Sequence, residues 1–325
     1  MEKLTLIFLQ GLGNSILNFP IYYSLIQKYD VEILTYKNGS SDFYRELGAK
    51  VTEVASLKDL LVKSYRNKSD IVITLYPNWR RELVAINLAD GLRKYHFKIP
   101  KLSQYFIGRC LEVDHEIHDV ENNLRILRVL GLKASPYRDY LVSKTKSSFT
   151  GKYIVLHPTA STMNKYYPLD FWQELVDRLS LKFDRIFILC GHKEEEKNFC
   201  GQIVGEKVEL KIGLKFNELF SLINGTEFFI GLDSSMMHLA ALFDKKIYAL
   251  WSFADMRRIY PYSSDVSIIA PVEVLETNDF KYPKSELPWL KRMSGGEMLK
   301  IIEGKSQPNK RKTDLNNNDV KIYVY

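Results

Sequence analysis

Cysteine is scarce in this 325-residue chain. The three present, Cys110, Cys190 and Cys200, are odd in number and lack zinc-ligand spacing, so neither a disulfide framework nor a structural metal is expected. Long apolar runs are missing too, and none reaches the ~20 residues of a membrane-spanning helix. The N-terminal run "LTLIFL" passes directly into Gln10, Gly11 and Asn14 without a small-residue cleavage site, so it reads as a buried strand and not a signal peptide. A cytosolic protein with reduced thiols is the expectation. No internal repeat is visible, and no nucleic-acid module signature accompanies the basic residues.

What is present is an ordinary globular composition, 46% hydrophobic and 26% charged, in a chain about twice the usual single-domain length. The net charge of +7 points to an acidic partner, whether nucleic acid, phosphorylated substrate or anionic membrane surface. Apolar strand-like runs alternate with helical patterns: "KLTLIFL", "VEILTY", "DIVITLY", "YIVLHP", "RIFILCG", "EFFIGLD" and "KIYALW". That alternation predicts parallel α/β architecture. In "PLDFWQELVDRLSLKF" the spacing of Phe171, Leu175, Val176 and Leu179 predicts a helix with one buried face. The polar stretch at 140–152 reads as the linker between two domains, and 305–325 as a polar basic tail. Ligand sites are expected in the loops that follow the strands.

The first such loop, "FLQGLGNS", carries Gly11 and Gly13 but has Ile16 where a dinucleotide fingerprint needs its third glycine. The acidic residue expected after the second strand is also missing, because that stretch closes on Tyr36, Lys37 and Asn38. Two readings stay open here, a ligand-approach turn and a tight strand-to-helix turn. Further along, "HPTASTMNKYYP" places Lys165 in a post-strand loop, where it can meet a phosphate, with Tyr166 and Tyr167 as pocket walls. Glu194, Glu195 and Glu196 open a helix, as the helix dipole alone would favour, and could hold ribose hydroxyls. In "GLDSSMMHLAAL" a strand ends at Asp233, and Ser234 and Ser235 start a helix whose free N–H groups suit a pyrophosphate. His238 follows one turn later.

These stretches, with "GNSILNFPIYYSL", "HDVENNLRILRVLGL" and "SFADMRRIYPY", resemble in order the motifs of glycosyltransferase family 9, the lipopolysaccharide heptosyltransferases. The family counterparts are a Gly-Asp turn, "HEVERNLxLLxxLGL", "HPGAxxxxKxWP", "GxDSGPMHLAAAL" and "FGPTDPxRxxPY". The resemblance implies a GT-B fold, two Rossmann-like parallel-sheet domains facing across a cleft. Residues 1–145 would bind the acceptor and 146–304 the nucleotide sugar. It also implies an inverting, metal-independent transfer of a heptose or related sugar from an ADP-sugar or other nucleotide-diphosphate sugar, without a cofactor. The acceptor would be an acidic lipopolysaccharide-core or surface glycan at the inner face of the membrane. Consistently, no two aspartates here are spaced as Asp-x-Asp. By motif match Lys165, Glu194, Glu195, Asp233, Ser234, Ser235 and His238 would hold the donor. Gly13, Asn14, Arg80 and Arg81 would meet the acceptor, with Asn14 and His238 nearest the chemistry. Asn14 stands where the family has the aspartate proposed as general base, Ser235 where it has glycine, and Trp251-Ser252 where it has Phe-Gly. A nucleotide-sugar-binding protein that has lost turnover is the alternative expectation, and an oxidoreductase resting on Gly11-x-Gly13 a third.

Overall fold

The computed structural model describes residues 1–145, 149–276, 287–309 and 320–325. Contacts divide the chain into two compact units, Met1–Lys144 and Thr145–Tyr325. The division falls inside the stretch read as a linker, of which residues 146–148 lie outside the described residues.

The first unit is a six-stranded sheet of β1 (Lys3–Ile7), β2 (Asp30–Tyr36), β3 (Lys50–Val54), β4 (Lys68–Thr74), β5 (Asp90–Phe97) and β6 (Arg109–Leu111). The strands are parallel in the order β3-β2-β1-β4-β5-β6. Its helices are α1 (Leu12–Leu17), α2 (Phe19–Ile26), α3 (Gly39–Glu46), α4 (Leu57–Arg66), α5 (Arg80–Leu88), α6 (Asp119–Val129) and α7 (Arg138–Val142). Strands β1 and β4 sit at the centre, covered on both faces. Their side chains Leu4, Leu6, Ile7, Ile71, Val72 and Ile73 are accordingly buried without interruption. Leu60 of α4 and Ala85 and Ile86 of α5 close one core against Ile7, Leu34 and Val72. The chain leaves β1 toward β2 and β3 and returns on the other side to β4, so the carboxyl ends of β1 and β4 flank a topological switch point.

The second unit repeats this plan with β7 (Tyr153–His157), β8 (Arg185–Cys190), β9 (Val208–Ile212), β10 (Phe228–Leu232), β11 (Lys246–Leu250), β12 (Val266–Ala270) and β13 (Val320–Val324). The order is β13-β12-β11-β10-β7-β8-β9, again parallel. Its helices are α8 (Leu169–Leu179), α9 (Glu194–Cys200), α10 (Phe216–Gly225), α11 (Ser235–Leu242), α12 (Met256–Ile259), α13 (Val272–Glu276) and α14 (Gly295–Ile302). Helix α8 buries Phe171, Leu175, Val176 and Leu179, the face its spacing predicts. The switch point here lies between β7 and β10.

The stretch 305–325 is not a tail throughout. Val320–Val324 pairs with β12, from Val266 opposite Val320 to Ala270 opposite Val324, and Tyr323 joins the main core. The apolar residues of "VKIYV" outweigh the polar sequence around them once a sheet edge is available. Residues 310–319 lie outside the described residues.

Candidate active site

At the switch point of the second unit, Gly231 of β10 stands opposite His157 of β7. A Cβ on Gly231 would come within 3.2 Å of the His157 Cβ and 2.7 Å of the Phe229 ring, so only glycine lets these strand ends close up. His157 is buried, and burial pushes its imidazole down to about 4. A ring that is neutral at ordinary pH offers one donor and one acceptor. Its Nδ1 lies 3.1 Å from Ser234 Oγ and its Nε2 3.5 Å from Thr159 Oγ1. Ser234 is the N-cap of α11, yet its side chain makes no capping hydrogen bond, because the hydroxyl turns to His157. The start of α11 therefore keeps its dipole and amides without a side-chain cap. Ser235 follows, partly exposed, and His238 is buried one turn further along the helix.

Asp233, between β10 and α11, is the hub of a second cluster. Lys165 Nζ lies 2.9 Å from its Oδ2 and 3.3 Å from its carbonyl oxygen, and Ser252 Oγ donates to its Oδ1 at 2.8 Å. The Phe253 ring supports the ammonium at 4.7 Å. Burial pushes the Asp233 carboxyl up, while the charge and hydrogen bond of Lys165 oppose it. Lys165, expected in a post-strand loop to meet a phosphate, is 6% exposed and held by Asp233. A buried ammonium needs such partners to offset its desolvation. Tyr167 is no pocket wall but core, since its hydroxyl donates to the Trp251 carbonyl at 3.1 Å and shares a 2.7 Å hydrogen bond with Tyr325.

The glutamate run at the start of α9 divides by direction. Glu194 is exposed and paired with Lys197 at 2.6 Å, and Glu195 is exposed. Glu196 instead folds back over the end of β8, where a Cβ on Gly191 would stand 1.9 Å from its Oε2. Glu196 is thus the member of the run that faces a strand's carboxyl end.

In the first unit Gly13 and Asn14 lie in the first turn of α1 and not at the tip of a loop. Gly11 is the N-cap at φ −72°, and a Cβ there would meet nothing within 4 Å, so neither backbone nor packing demands glycine at that position. The Asn14 carbonyl accepts hydrogen bonds from the Asn18 backbone and side chain, at 3.0 and 2.9 Å. Its own carboxamide makes no hydrogen bond among the described residues. Arg80 and Arg81 are exposed at the start of α5, with Arg81 over the Tyr36 ring at 5.0 Å.

Sequence patterns do not single out what joins these two elements. Glu82 is fully buried, and its Oε1 accepts from the Leu9 N–H at 3.0 Å and Gln10 Nε2 at 3.3 Å. Its Oε2 accepts from the Trp79 N–H. One carboxylate thus ties the end of β1, just before Gly11, to the start of α5. Asn123 of α6 does similar work, bonding both backbone groups of Tyr76 and the Asn18 side chain, each at 2.7 Å. An acid among apolar residues three positions after a helix N-cap was the available signal for Glu82.

Residues 66–290 match the family model for glycosyltransferase family 9 (heptosyltransferase). The chain is 24% identical over 300 residues to lipopolysaccharide heptosyltransferase 3 of Escherichia coli, covering 78% of this chain and 83% of that one. It is 20% identical over 260 residues to the lipopolysaccharide core heptosyltransferase OpsX of Haemophilus influenzae, covering 75% and 74%. Its fold is similar to that of the E. coli heptosyltransferase WaaC with ADP, at a TM-score of 0.74 and 17% identity over 93% of this chain and all of that one. The paired parallel sheets with their two switch points are the GT-B class. The family match spans well over half of the chain, and the protein belongs to glycosyltransferase family 9 as a glycosyltransferase of the GT-B fold.

Proposed function

We propose that the protein transfers a heptose, or a related sugar, from an ADP-sugar to a lipopolysaccharide-core or surface-glycan acceptor, with inversion and without a metal ion. The names of its relatives support the sugar and the acceptor class, and the ADP in the WaaC structure supports the nucleotide. The observation that carries the reading is the α11 start, free of a side-chain cap, beside the buried Lys165–Asp233 pair. In an inverting transfer the acceptor hydroxyl attacks the anomeric carbon from the face opposite the diphosphate and loses its proton to a side-chain base or, where none is placed, to water. The bond from that carbon to the diphosphate oxygen breaks, and charge builds on the departing ADP. Amides of α11, the Ser234 and Ser235 hydroxyls and Lys165 are the groups to meet that charge, already oriented before it develops. Asp233 fixes Lys165, and His238 lines the same helix. Glu196, in place of Glu194 or Glu195, is the carboxylate for the ribose. Gly13, Asn14, Arg80 and Arg81 are proposed to receive the acceptor, and the reaction to run in the cytoplasm at a membrane surface.

Calorimetry with ADP and adenosine, followed by ADP release from ADP-heptose with a lipopolysaccharide-core acceptor, tests this. ADP is expected to bind at least about tenfold tighter than adenosine, as one charge-assisted hydrogen bond would give, and ADP release to persist in EDTA. Equal affinities, or a complete loss restored by Mg²⁺, would overturn it.

A further inference from the structure

We propose that the outer face of α4 and α5, with the loop before β6, is a docking surface for an anionic phospholipid bilayer. The proposal rests on the lipid-linked acceptor reading for its purpose only; the surface itself is read from exposure and charge. Helices α4 and α5 pack side by side and send Leu60, Ala85 and Ile86 into one core. Their opposite faces are not the polar surface such helices normally present. Leu57, Val62 and Tyr65 of α4 are exposed, as are Trp79, Val84 and Leu88 along α5. Single exposed apolar residues are ordinary. Here eight of the fifteen large apolar side chains exposed among the described residues lie on α4, on α5 with its N-cap, and in the loop before β6, so this is a concentration and not scatter.

The loop contribution is built in. Ile107, 65% exposed, has its N–H bound to Asn87 Oδ1 of α5 at 2.7 Å. The next residue, Gly108, has φ +121° and lies so close to β5 that a Cβ would come 2.7 Å from the Lys94 carbonyl oxygen. Glycine is needed there, and the tight turn holds Ile107 beside the α5 stripe.

Charge selects the occupant. Lys58, Arg66, Arg80, Arg81 and Lys101 are exposed on or beside this face, and none forms an ion pair among the described residues. Nearby acids are already engaged, Asp59 with Lys63 and Glu112 with Lys98, while Asp90 sits at the margin beyond α5. A second copy of the chain would bring like charges together. A bilayer with anionic headgroups complements the cations, accepts Trp79, Tyr65 and Tyr105 at the headgroup level, and takes the aliphatic side chains below it.

Co-sedimentation with vesicles of phosphatidylethanolamine and phosphatidylglycerol, compared with phosphatidylcholine vesicles, tests the surface. Of the four tryptophans, Trp172 and Trp251 are fully buried and Trp289 is partly buried, which leaves Trp79, 55% exposed, as the natural reporter. Binding to the phosphatidylglycerol vesicles alone is expected, with a blue-shifted emission that disappears in Trp79→Phe. Lys58→Ala with Arg66→Ala, on α4 and outside the proposed acceptor residues, should weaken partitioning by about thirtyfold, at roughly one unit charge each near the surface. Leu88→Asp should remove the emission shift. Equal binding to both vesicles, binding without any Trp79 shift, or a concentration-dependent dimer in place of vesicle binding would each overturn the proposal. ADP affinity measured without vesicles in the same variants reports separately on the proposed function, and a normal melting temperature shows that the variants fold.

Discussion

Lys165 and Asp233 form an ion pair with Nζ 2.9 Å from Oδ2 and side chains only 7% and 3% exposed. Two residues that motif matching assigns to the donor are therefore also each other's counter-charge. Removing one partner of a buried pair costs about 3–5 kcal/mol, whereas removing both charges can be nearly neutral. Lys165→Met should lose stability of that order, and part of the loss should return at low pH, where the Asp233 carboxyl, already pushed up by burial, takes a proton. Lys165→Met with Asp233→Asn should recover stability in urea unfolding yet still bind ADP at least about tenfold more weakly than wild type. Wild-type ADP affinity in that double variant would make the pair purely structural.

Glu82 gives the first unit a pH dependence of definite sign. Burial pushes its carboxyl up from 4.5 to about 7, against hydrogen bonds from Trp79, Leu9 and Gln10 and the charge of Arg81. Between those two values the folded protein holds a proton that the unfolded chain has released. Its contribution is fully present below 4.5 and is lost as pH rises through about 7, a change of roughly 3 kcal/mol at most. Glu82→Gln cannot ionise, so the slope of stability between about pH 5 and pH 8 should flatten. An unchanged slope in that variant would show that other groups set the dependence.

The centre of each sheet was legible because strands buried on both faces are written as continuous apolar runs, and "KLTLIFL" and "EFFIGLD" became β1 and β10. The edges were not. Strands β3, "KVTEV", and β9, "VELKI", carry charged side chains on half-exposed positions, and their identity comes from the neighbour they pair with. The position of Asp233 and Ser234 at a strand end followed from pattern alone. What pattern could not supply was the company they keep: Lys165 reaches Asp233 across 68 positions, and Glu82 reaches Leu9 across 73. Such pairs are products of the switch points, where strands distant in sequence end side by side. The glutamate run shows the same limit on a smaller scale, since only the helical turn decides that Glu196, and not Glu194, faces Gly191.

Asn14 is the residue on which the rate of transfer is expected to turn. Its carboxamide makes no hydrogen bond among the described residues, and the helix it sits in is capped by Gly11, so the side chain is not what stabilises the turn. Asn14→Ala should therefore change stability by no more than about 0.5 kcal/mol. An amide cannot take a proton at ordinary pH, although its oxygen can accept a hydrogen bond and orient a hydroxyl. Glu82, which is tied to Leu9 and Gln10 ahead of the turn, cannot substitute, because both its oxygens are engaged by N–H donors. His157 is held neutral with its acidity near 4, which makes it a weak base, and its ring is committed to Ser234 and Thr159. General-base assistance is worth about 10²–10⁴-fold when a group is suitably placed. That leaves His238: without a substitute base Asn14→Asp is expected to raise kcat by at least about tenfold with ADP affinity unchanged, whereas with His238 as the base the new charge helps little or repels an acidic acceptor, and Asn14→Ala lowers kcat by the few-fold that a lost orienting hydrogen bond is worth. The added carboxylate lies in the first turn of α1, where the helix dipole favours it, so a fall in activity cannot be put down to unfolding. Turnover of ADP-heptose with a lipopolysaccharide-core acceptor, at matched melting temperature, decides the matter: if both variants equal wild type, residue 14 does not touch the reacting hydroxyl and the acceptor site must be sought elsewhere in the first unit.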